Sequence, residues 1–175
     1  MREAMKELKT VEMEVALMRY FNFRHNLIVP NVSWGINIAN MPDLHECDLL
    51  LLSKSGYATE VEIKVSKADL IKDFDKKHCH FHPAIKHLYY AVTEPLKELA
   101  LKCVPEYAGI ITVRANDESY YQPWYDVVVV RKAKAARRPY KWNERERLQL
   151  LRLGCLRIYG LKKKLVRNGK ATQRR

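Results

Sequence analysis

Asp48, Glu62 and Lys64 are the side chains in this sequence whose types and spacing suit a chemical reaction. Asp48 lies in a short apolar run that predicts a buried strand, and a Ser-Lys-Ser-Gly turn separates this run from a second predicted strand. Charged and apolar residues alternate along the second strand, so Glu62 and Lys64 share one face. Side chains on the same face of a hairpin are neighbours, so we expect Asp48 to meet both of them.

Two carboxylates and a lysine in one place suit the hydrolysis of a phosphodiester bond. Mg²⁺ or Mn²⁺ prefers hard oxygen ligands, which Asp48, Glu62 and the backbone carbonyl of Ile63 could supply. Such an ion can serve to activate water, neutralise charge on the phosphate and stabilise the leaving oxygen. Lys64 would activate or orient the water, or contact the scissile phosphate. The alternative is that Glu60, Glu62 and Lys64 form the solvated face of an edge hairpin. Glu60 shares the active face and could assist there, but we favour a charge at the rim.

An N-terminal helix is predicted from about Glu3 to Phe23, because apolar residues recur there at three- and four-residue steps. The predicted core-facing stripe consists of Leu8, Val11, Val15 and Met18. Glu14 falls within this stripe, where a carboxylate is unfavourable unless it is paired. We therefore expect Glu14 to be paired, the alternative being that it flanks the stripe and reaches solvent.

Strands and helices alternate along the rest of the chain. The predicted elements are a strand within 27–38, a helix over 67–77 capped by Ser66, strands over 87–92, 107–113 and 124–131, a helix over 95–102 and an Asn143-capped helix to about 164. This order predicts an α/β or α+β fold with a mixed central sheet flanked by helices in a single domain. Residues 1–131 would form the core, 132–166 a basic linker and C-terminal helix, and 167–175 a disordered basic tail.

The positive charge of the chain is concentrated near its C-terminus. Residues 131–175 hold 17 Lys or Arg and 2 acids, a net charge of +15, whereas the other 130 residues carry −3. Such a segment attracts polyanions, most commonly nucleic acid, although a merely solvated tail is the alternative. We expect nucleic acid as the partner, contacted by the basic residues Lys67, Lys72, Lys76, Arg137, Arg138, Lys162, Lys163 and Lys164.

The sequence contains no apolar run long enough for a membrane helix and no apolar leader at its N-terminus, so we expect a cytoplasmic protein without a membrane partner. The four cysteines are scattered and read as free thiols. The cluster of His78, Cys79, His80 and His82 suggests zinc, together with Cys47 or His45, but the second spaced pair of a closed zinc site is missing. We therefore favour histidines at a helix end that face DNA phosphate or solvent.

An Asp followed by a hairpin and then Glu-x-Lys resembles the signature of the PD-(D/E)XK nuclease superfamily. A longer stretch is similar to the MmcB-type DNA-repair nucleases of that superfamily: Val61 to Leu70 with Asp73, then Leu88 to Val92, then Ala108 to Ile111. The resemblance implies a restriction-endonuclease-like fold, Mg²⁺ or Mn²⁺ as cofactor, DNA as the nucleic-acid partner, and metal-dependent cleavage of DNA in repair or in a phage or restriction context. It also implies that Asp48 and Glu62 are metal ligands, Lys64 the catalytic lysine and Glu14 the supporting helix acid.

A Mg²⁺-dependent deoxyribonuclease is thus the function we expect. The alternative is a nucleic-acid-binding protein that has a nuclease fold and does not cut. Cleavage of both strands of a duplex would favour a homodimer.

Overall fold

A mixed six-stranded sheet and four α-helices make up the described part of the chain. The structure is a computed structural model, and it describes residues 8–32, 36–38, 41–74, 80, 82–116 and 124–172. The strands are β1 (Leu27–Val32), β2 (Cys47–Leu52), β3 (Ala58–Lys64), β4 (Ile85–Thr93), β5 (Gly109–Asn116) and β6 (Trp124–Arg131). The helices are α1 (Thr10–Tyr20), α2 (Lys67–Asp73), α3 (Lys97–Cys103) and α4 (Glu144–Thr172). The predicted α+β class, a mixed sheet flanked by helices, is confirmed.

The strands follow one another across the sheet in chain order. The three pairs β1–β2, β2–β3 and β5–β6 are antiparallel, whereas β3–β4 and β4–β5 are parallel. The two parallel pairs need crossover connections, which contain α2 and α3. We call the end of the sheet where β3 finishes and β2 begins the Lys64 end, and the end with the β2–β3 turn the Gly56 end.

The two faces of the sheet bury different helices. One face, which includes Val61 and Ile63, packs against Met13 and Leu17 of α1. On the other face, the β1–β2 half packs against the beginning of α4, and the β4–β5 half packs around Leu70 of α2. The charged side chains of β3 lie on this second face, between two apolar clusters, so they are buried by packing on both sides.

Side chains cap both helices for which a cap was predicted. Ser66 accepts a hydrogen bond from the N–H of Asp69 at 3.2 Å, which fixes the start of α2 immediately after β3. Asn143 accepts from the N–H of Glu146 at 3.1 Å, and the Glu146 carboxylate accepts from the N–H of Asn143 at 2.8 Å. This reciprocal capping box begins α4.

The predicted apolar stripe of the N-terminal helix is wrong at two of its four positions. Val11 and Val15 are exposed, at 59% and 43%, whereas Met13, Ala16 and Leu17 are buried. Apolar residues occupy almost every position from Val11 to Met18, so the periodicity allowed more than one inward face. The helix itself is confirmed over Thr10–Tyr20, and residues 1–7 lie outside the described residues.

Three other elements differ most from their predicted boundaries. β1 ends at Val32, α2 ends at Asp73, and residues 75–79 lie outside the described residues. The final helix runs to Thr172, so residues 167–172 are helical where a disordered tail was predicted. The helix-forming residues Arg167, Lys170 and Ala171 continue the helix through this segment. Among the described residues, no helix is long and apolar enough to cross a membrane.

Candidate functional site

Asp48 and Glu62 lie where the backbone ladder between β2 and β3 ends. The last backbone pair toward the Lys64 end is Leu49 with Val61, and Asp48 and Glu62 are the next residues on each strand. The Asp48 carboxylate accepts a hydrogen bond from the N–H of Ile63 at 2.8 Å, and the N–H of Asp48 donates to Glu62 Oε1 at 3.4 Å. Side chains thus continue the pairing beyond the ladder and hold the two carboxylates together.

Lys64 joins these carboxylates through its ammonium group. Its Nζ lies 2.7 Å from Glu62 Oε2 and 3.6 Å from Asp48 Oδ2. Only 4% of the Lys64 side chain is exposed, whereas 37% of the Asp48 side chain is exposed. The structure therefore brings the three predicted site residues together, with Asp48 on the open side and Lys64 behind it.

Asp73 of α2 is a member of this cluster that sequence reasoning did not assign to the site. Its Oδ1 lies 3.0 Å from Lys64 Nζ, and its Oδ2 accepts from the hydroxyl of Tyr90 at 3.0 Å. The same Oδ2 lies 2.7 Å from His80 Nε2. Asp73 follows the buried Leu70 by three residues, and this spacing could have indicated an inward-facing acid.

Glu60 is fully buried, at 0% exposure, so its predicted role as a rim charge is wrong. His45 Nε2 lies 2.8 and 2.9 Å from the two Glu60 oxygens, and His80 Nδ1 lies 2.8 Å from Oε1. Glu60 shares its face with Glu62 by strand alternation, and the two histidines enclose it there. A continuous chain of contacts therefore runs from His45 through Glu60, His80 and Asp73 to Lys64.

The prediction that these histidines face phosphate or solvent is also wrong. His80 and His82 are buried, at 2% and 5% exposure. His82 donates from Nε2 to the carbonyl of Pro42 at 3.0 Å and accepts from the N–H of Ala84 at Nδ1, at 3.1 Å. These two bonds are those of a neutral imidazole that fastens the loop before β2. His78 and Cys79 lie outside the described residues.

The cluster holds more negative than positive charge. Burial and the charge of Asp48 raise the pKa of Glu62 to about 7, although Lys64 opposes the shift. Burial would lower the pKa of Lys64, but the charge of Glu62 and its hydrogen bond outweigh burial and raise it. Four carboxylates, those of Asp48, Glu60, Glu62 and Asp73, face Lys64 and His80, and His45 also contacts Glu60. The carboxylates outnumber these basic groups, which favours the binding of a further cation.

Glu14 lies close to Asp48, although only part of the predicted stripe that contains it is confirmed. Its Oε1 accepts from Asn31 Nδ2 at 3.2 Å. Burial raises the pKa of Glu14, the hydrogen bond from Asn31 lowers it, and the charge of Asp48 raises it further. Glu14 is therefore close enough to Asp48 for the two carboxylates to repel each other, from the opposite face of the sheet.

The basic residues predicted to contact DNA fall into two separate regions. Lys67 and Lys72 are exposed on α2, which begins at the Lys64 end. Arg137 and Arg138 are exposed at the Gly56 end, where the N–H of Ala136 donates to the carbonyl of Lys86 near the start of β4. Arg137 and Arg138 are therefore not brought together with the site, which corrects that part of the prediction, and Lys76 lies outside the described residues.

The long helix α4 carries the exposed Lys162, Lys163 and Lys164 toward the site end of the sheet. Arg147 donates to the carbonyl of Ser53 at the Gly56 end, and Arg157 contacts the carbonyl of Asn31 at the Lys64 end. The helix thus runs along β1 from one end of the sheet to the other. Its three lysines follow Arg157 by about 8–10 Å of helix and extend beyond the end at which Asp48 lies.

No protein-family model matches the sequence, and no curated protein matches it. Among solved structures, the fold is similar to that of a protein of unknown function from Silicibacter pomeroyi. The TM-score is 0.54 at 16% sequence identity, and the match covers 94% of this chain and 96% of that chain. At this identity the similarity concerns the fold alone.

Asp48 and Glu62 fit a Mg²⁺ or Mn²⁺ ion in their chemistry. Their carboxylates are hard oxygen ligands, and one ammonium lies within 3.6 Å of both. The N–H of Ile63 points toward Asp48, and within an antiparallel ladder the N–H and C=O of one residue point to the same neighbouring strand. The Ile63 carbonyl therefore faces the same gap and is available as a third oxygen ligand.

Stability is predicted to fall as the pH rises toward 9 when metal is removed. Burial would lower the pKa of His80, but hydrogen bonds with Asp73 and Glu60 outweigh it and raise the pKa from 6.5 to about 9. Protonated His80 therefore stabilises the folded state. This contribution is complete below pH 6.5 and is lost as the pH rises to about 9. We expect a loss on the order of 3 kcal/mol in the free energy of unfolding.

Urea unfolding in EDTA from pH 6 to pH 10 measures this loss, with His80→Gln as the control. Glu62, whose pKa is raised to about 7, also lowers stability as the pH rises, but only up to about pH 7. Above pH 7 the free energy of unfolding should therefore fall much less steeply with pH in His80→Gln than in the wild type. Equal slopes in the two proteins would contradict the assigned protonation of His80.

Proposed function

We propose that the protein is a metal-dependent nuclease that hydrolyses DNA phosphodiester bonds, with Asp48 and Glu62 as metal ligands and Lys64 as the catalytic lysine. The observation that carries the proposal is the contact of Lys64 Nζ with Glu62 and Asp48, at 2.7 and 3.6 Å, at the end of the hairpin. The resemblance of the Asp-hairpin-Glu-x-Lys pattern to the PD-(D/E)XK superfamily supports the same assignment.

The exposure of Asp48, Glu62 and Lys64 indicates a different role for each in the reaction. Asp48 is the one that reaches solvent, so it lies on the side from which a DNA strand can approach. Bound Mg²⁺ would neutralise charge on the phosphate and lower the pKa of the attacking water. The pKa of Lys64 lies above its ordinary value, so at neutral pH its ammonium remains charged. Lys64 therefore orients the water or the phosphate and does not act as the proton acceptor.

The DNA backbone would contact the basic residues at the Lys64 end of the sheet. Lys162, Lys163 and Lys164 on α4 and Lys67 and Lys72 on α2 approach this end from two sides. Phosphate contacts of this kind position the duplex without reading its sequence. The two groups of lysines would thus hold a strand across Asp48.

Replacing Lys162, Lys163 and Lys164 together with Gln is predicted to weaken DNA binding for every sequence tested. The slope of log Kobs against log salt is negative, and the loss of three phosphate contacts should make it less steep by about 3. Fluorescence anisotropy at several salt concentrations measures the slope. The matched control is Arg137→Gln with Arg138→Gln, at the Gly56 end, and an equal reduction in both variants would contradict the proposed surface.

A DNA-binding protein that does not cut is the second candidate, and one observation favours it. The Lys64 side chain is only 4% exposed and its ammonium already contacts Asp73 at 3.0 Å in addition to the metal-ligand carboxylates. For catalysis, the Lys64 ammonium would have to contact the water or the phosphate in addition to these carboxylates. In the binding protein it would stay in its buried ion pairs.

Cleavage of labelled linear, flapped and single-stranded DNA distinguishes the two candidates. Wild-type protein with Mg²⁺ or Mn²⁺ is expected to cut at least one substrate and to be inactive in EDTA. Lys64→Ala is expected to lose this activity, by about 10²- to 10³-fold, because a charge aimed at the reacting groups is removed. Lys134→Ala, which removes an exposed lysine away from the cluster, should cut like the wild type. Binding without cutting in the wild type would favour the second candidate.

A further inference from the structure

A second group of metal-binding side chains lies next to the carboxylate pair and has no role in the proposed cleavage. Its members are His45 in the loop before β2, Cys47 at the first position of β2, and Glu60 in the middle of β3. One donor atom from each, His45 Nε2, Cys47 Sγ and a Glu60 oxygen, lies within 4.8 Å of the other two. Cys47 and Glu60 are buried, and 9% of the His45 side chain is exposed.

The donor set selects one class of cation. An imidazole nitrogen, a thiolate sulfur and a carboxylate oxygen together match Zn²⁺, whereas Mg²⁺ prefers an all-oxygen shell. This distinguishes the group from the hard-oxygen set of Asp48 and Glu62. Zinc sites with three protein ligands keep a fourth position for water or another molecule.

The spacing of His45 and Glu60 is close to that of two ligands on one metal ion. His45 Nε2 lies 2.8 Å from Glu60 Oε1, and the two atoms would be about 3.3 Å apart around a tetrahedral zinc ion. Metal binding would thus displace the proton shared by His45 and Glu60. It would also increase the distance between the two atoms by about half an ångström. The Cys47 thiol would release its proton and its long contact with the carbonyl of His45, at 3.5 Å.

A second histidine also contacts Glu60, at the same oxygen as His45. His80 Nδ1 lies 2.8 Å from Glu60 Oε1, and His80 Nε2 lies 2.7 Å from Asp73. Partners of this kind orient metal ligands, and they remain in place when the metal binds. The excess of carboxylates over cationic groups in the same buried cluster also favours a divalent cation.

We propose that His45 Nε2, Cys47 Sγ and Glu60 bind one transition-metal ion of the zinc class, with an open fourth position. Asp48 directly follows Cys47, so a metal bound there fixes the start of β2 and with it the position of Asp48. The ion would link the loop before β2 to β3, which the His45–Glu60 contact also joins. The site is chemically separate from the Mg²⁺ site, and zinc binding is measured without DNA.

Titration of Co²⁺ and Zn²⁺ into EDTA-treated, dialysed protein tests the proposal. The wild type should bind one Zn²⁺ per chain in calorimetry, and Co²⁺ should give a thiolate-to-cobalt charge-transfer band. Cys47→Ser should lose the band and weaken zinc binding by more than the roughly 10- to 100-fold that loss of an outer-shell partner costs. Cys103→Ser, a matched substitution in α3, should keep both properties. His45→Gln, which leaves the buried thiol in place, provides a second variant and should also weaken zinc binding.

Two further measurements separate this proposal from the proposed nuclease function. Asp48→Asn should retain zinc binding while losing cleavage, and excess Mg²⁺ should not displace Co²⁺. The proposal is overturned if the wild type binds no Zn²⁺ or if the charge-transfer band persists in Cys47→Ser. A persistent band would mean that another thiol ligates the metal. Neither outcome would bear on cleavage at Asp48 and Glu62.

Discussion

Glu62→Gln is expected to abolish Mg²⁺-dependent cleavage, with a loss of about 10³-fold or more, and to leave DNA affinity nearly unchanged. The substitution keeps the shape of the side chain but removes a negative charge from the proposed metal site. It also removes the carboxylate that lies 2.7 Å from Lys64 Nζ, so both the metal and the ammonium lose a partner. The basic residues of α2 and α4, which would hold the DNA backbone, are untouched.

Cleavage rate and DNA affinity have to be measured in parallel, because a catalytic residue is identified by a loss of cleavage without a loss of affinity. Glu98→Gln, an exposed glutamate on α3, is the matched control and should have wild-type values for both. Thermal unfolding of each variant establishes that the loss of cleavage occurs in folded protein. Full cleavage by folded Glu62→Gln would exclude Glu62 as a metal ligand.

Asp73→Asn is expected to cause the largest loss of stability among substitutions in the cluster. Three donors converge on this buried carboxylate: Lys64 Nζ at 3.0 Å, His80 Nε2 at 2.7 Å and the Tyr90 hydroxyl at 3.0 Å. An amide cannot accept from all of them, and its NH₂ group would face cationic groups. Removing one partner from a buried ion pair costs about 3–5 kcal/mol, and we expect a loss of this size in the free energy of unfolding.

Urea unfolding at pH 7 measures this loss, with Asp69→Asn as the matched control. Asp69 lies on the same helix but is exposed, so its substitution should cost less than about 1 kcal/mol. Similar losses in the two variants would contradict the central place of Asp73 in the buried network. Asp73→Asn should also shift the titration of Lys64 and His80, since both lose a negative neighbour.

The sheet and the carboxylate pair could be predicted because they depend on local patterns. Alternation along β3 placed Glu62 and Lys64 on one face, and the short turn after β2 made the hairpin that brings Asp48 to them. Ser66 and Asn143 cap their helices as predicted, because a capping box involves residues only three positions apart.

The buried environment of the site could not be read from these patterns. Glu60 looked like a solvated charge, because its partners His45 and His80 lie 15 and 20 residues away along the chain. The inward face of α1 was also ambiguous, since apolar residues surround the helix there. Charge burial is a property of the tertiary packing, which covers β3 with α2 and the side chain of His80.

Reversible dependence of cleavage on Mg²⁺ tests the central claim most directly. One labelled DNA that the wild type cuts would be incubated with Mg²⁺, then with excess EDTA, and then with Mg²⁺ restored above the chelator. We predict that cutting proceeds, stops and resumes, and that Glu62→Gln cuts in none of the three stages. Cleavage that continues in EDTA, or equal cleavage by the variant, would contradict a metal-dependent nuclease site at Asp48 and Glu62.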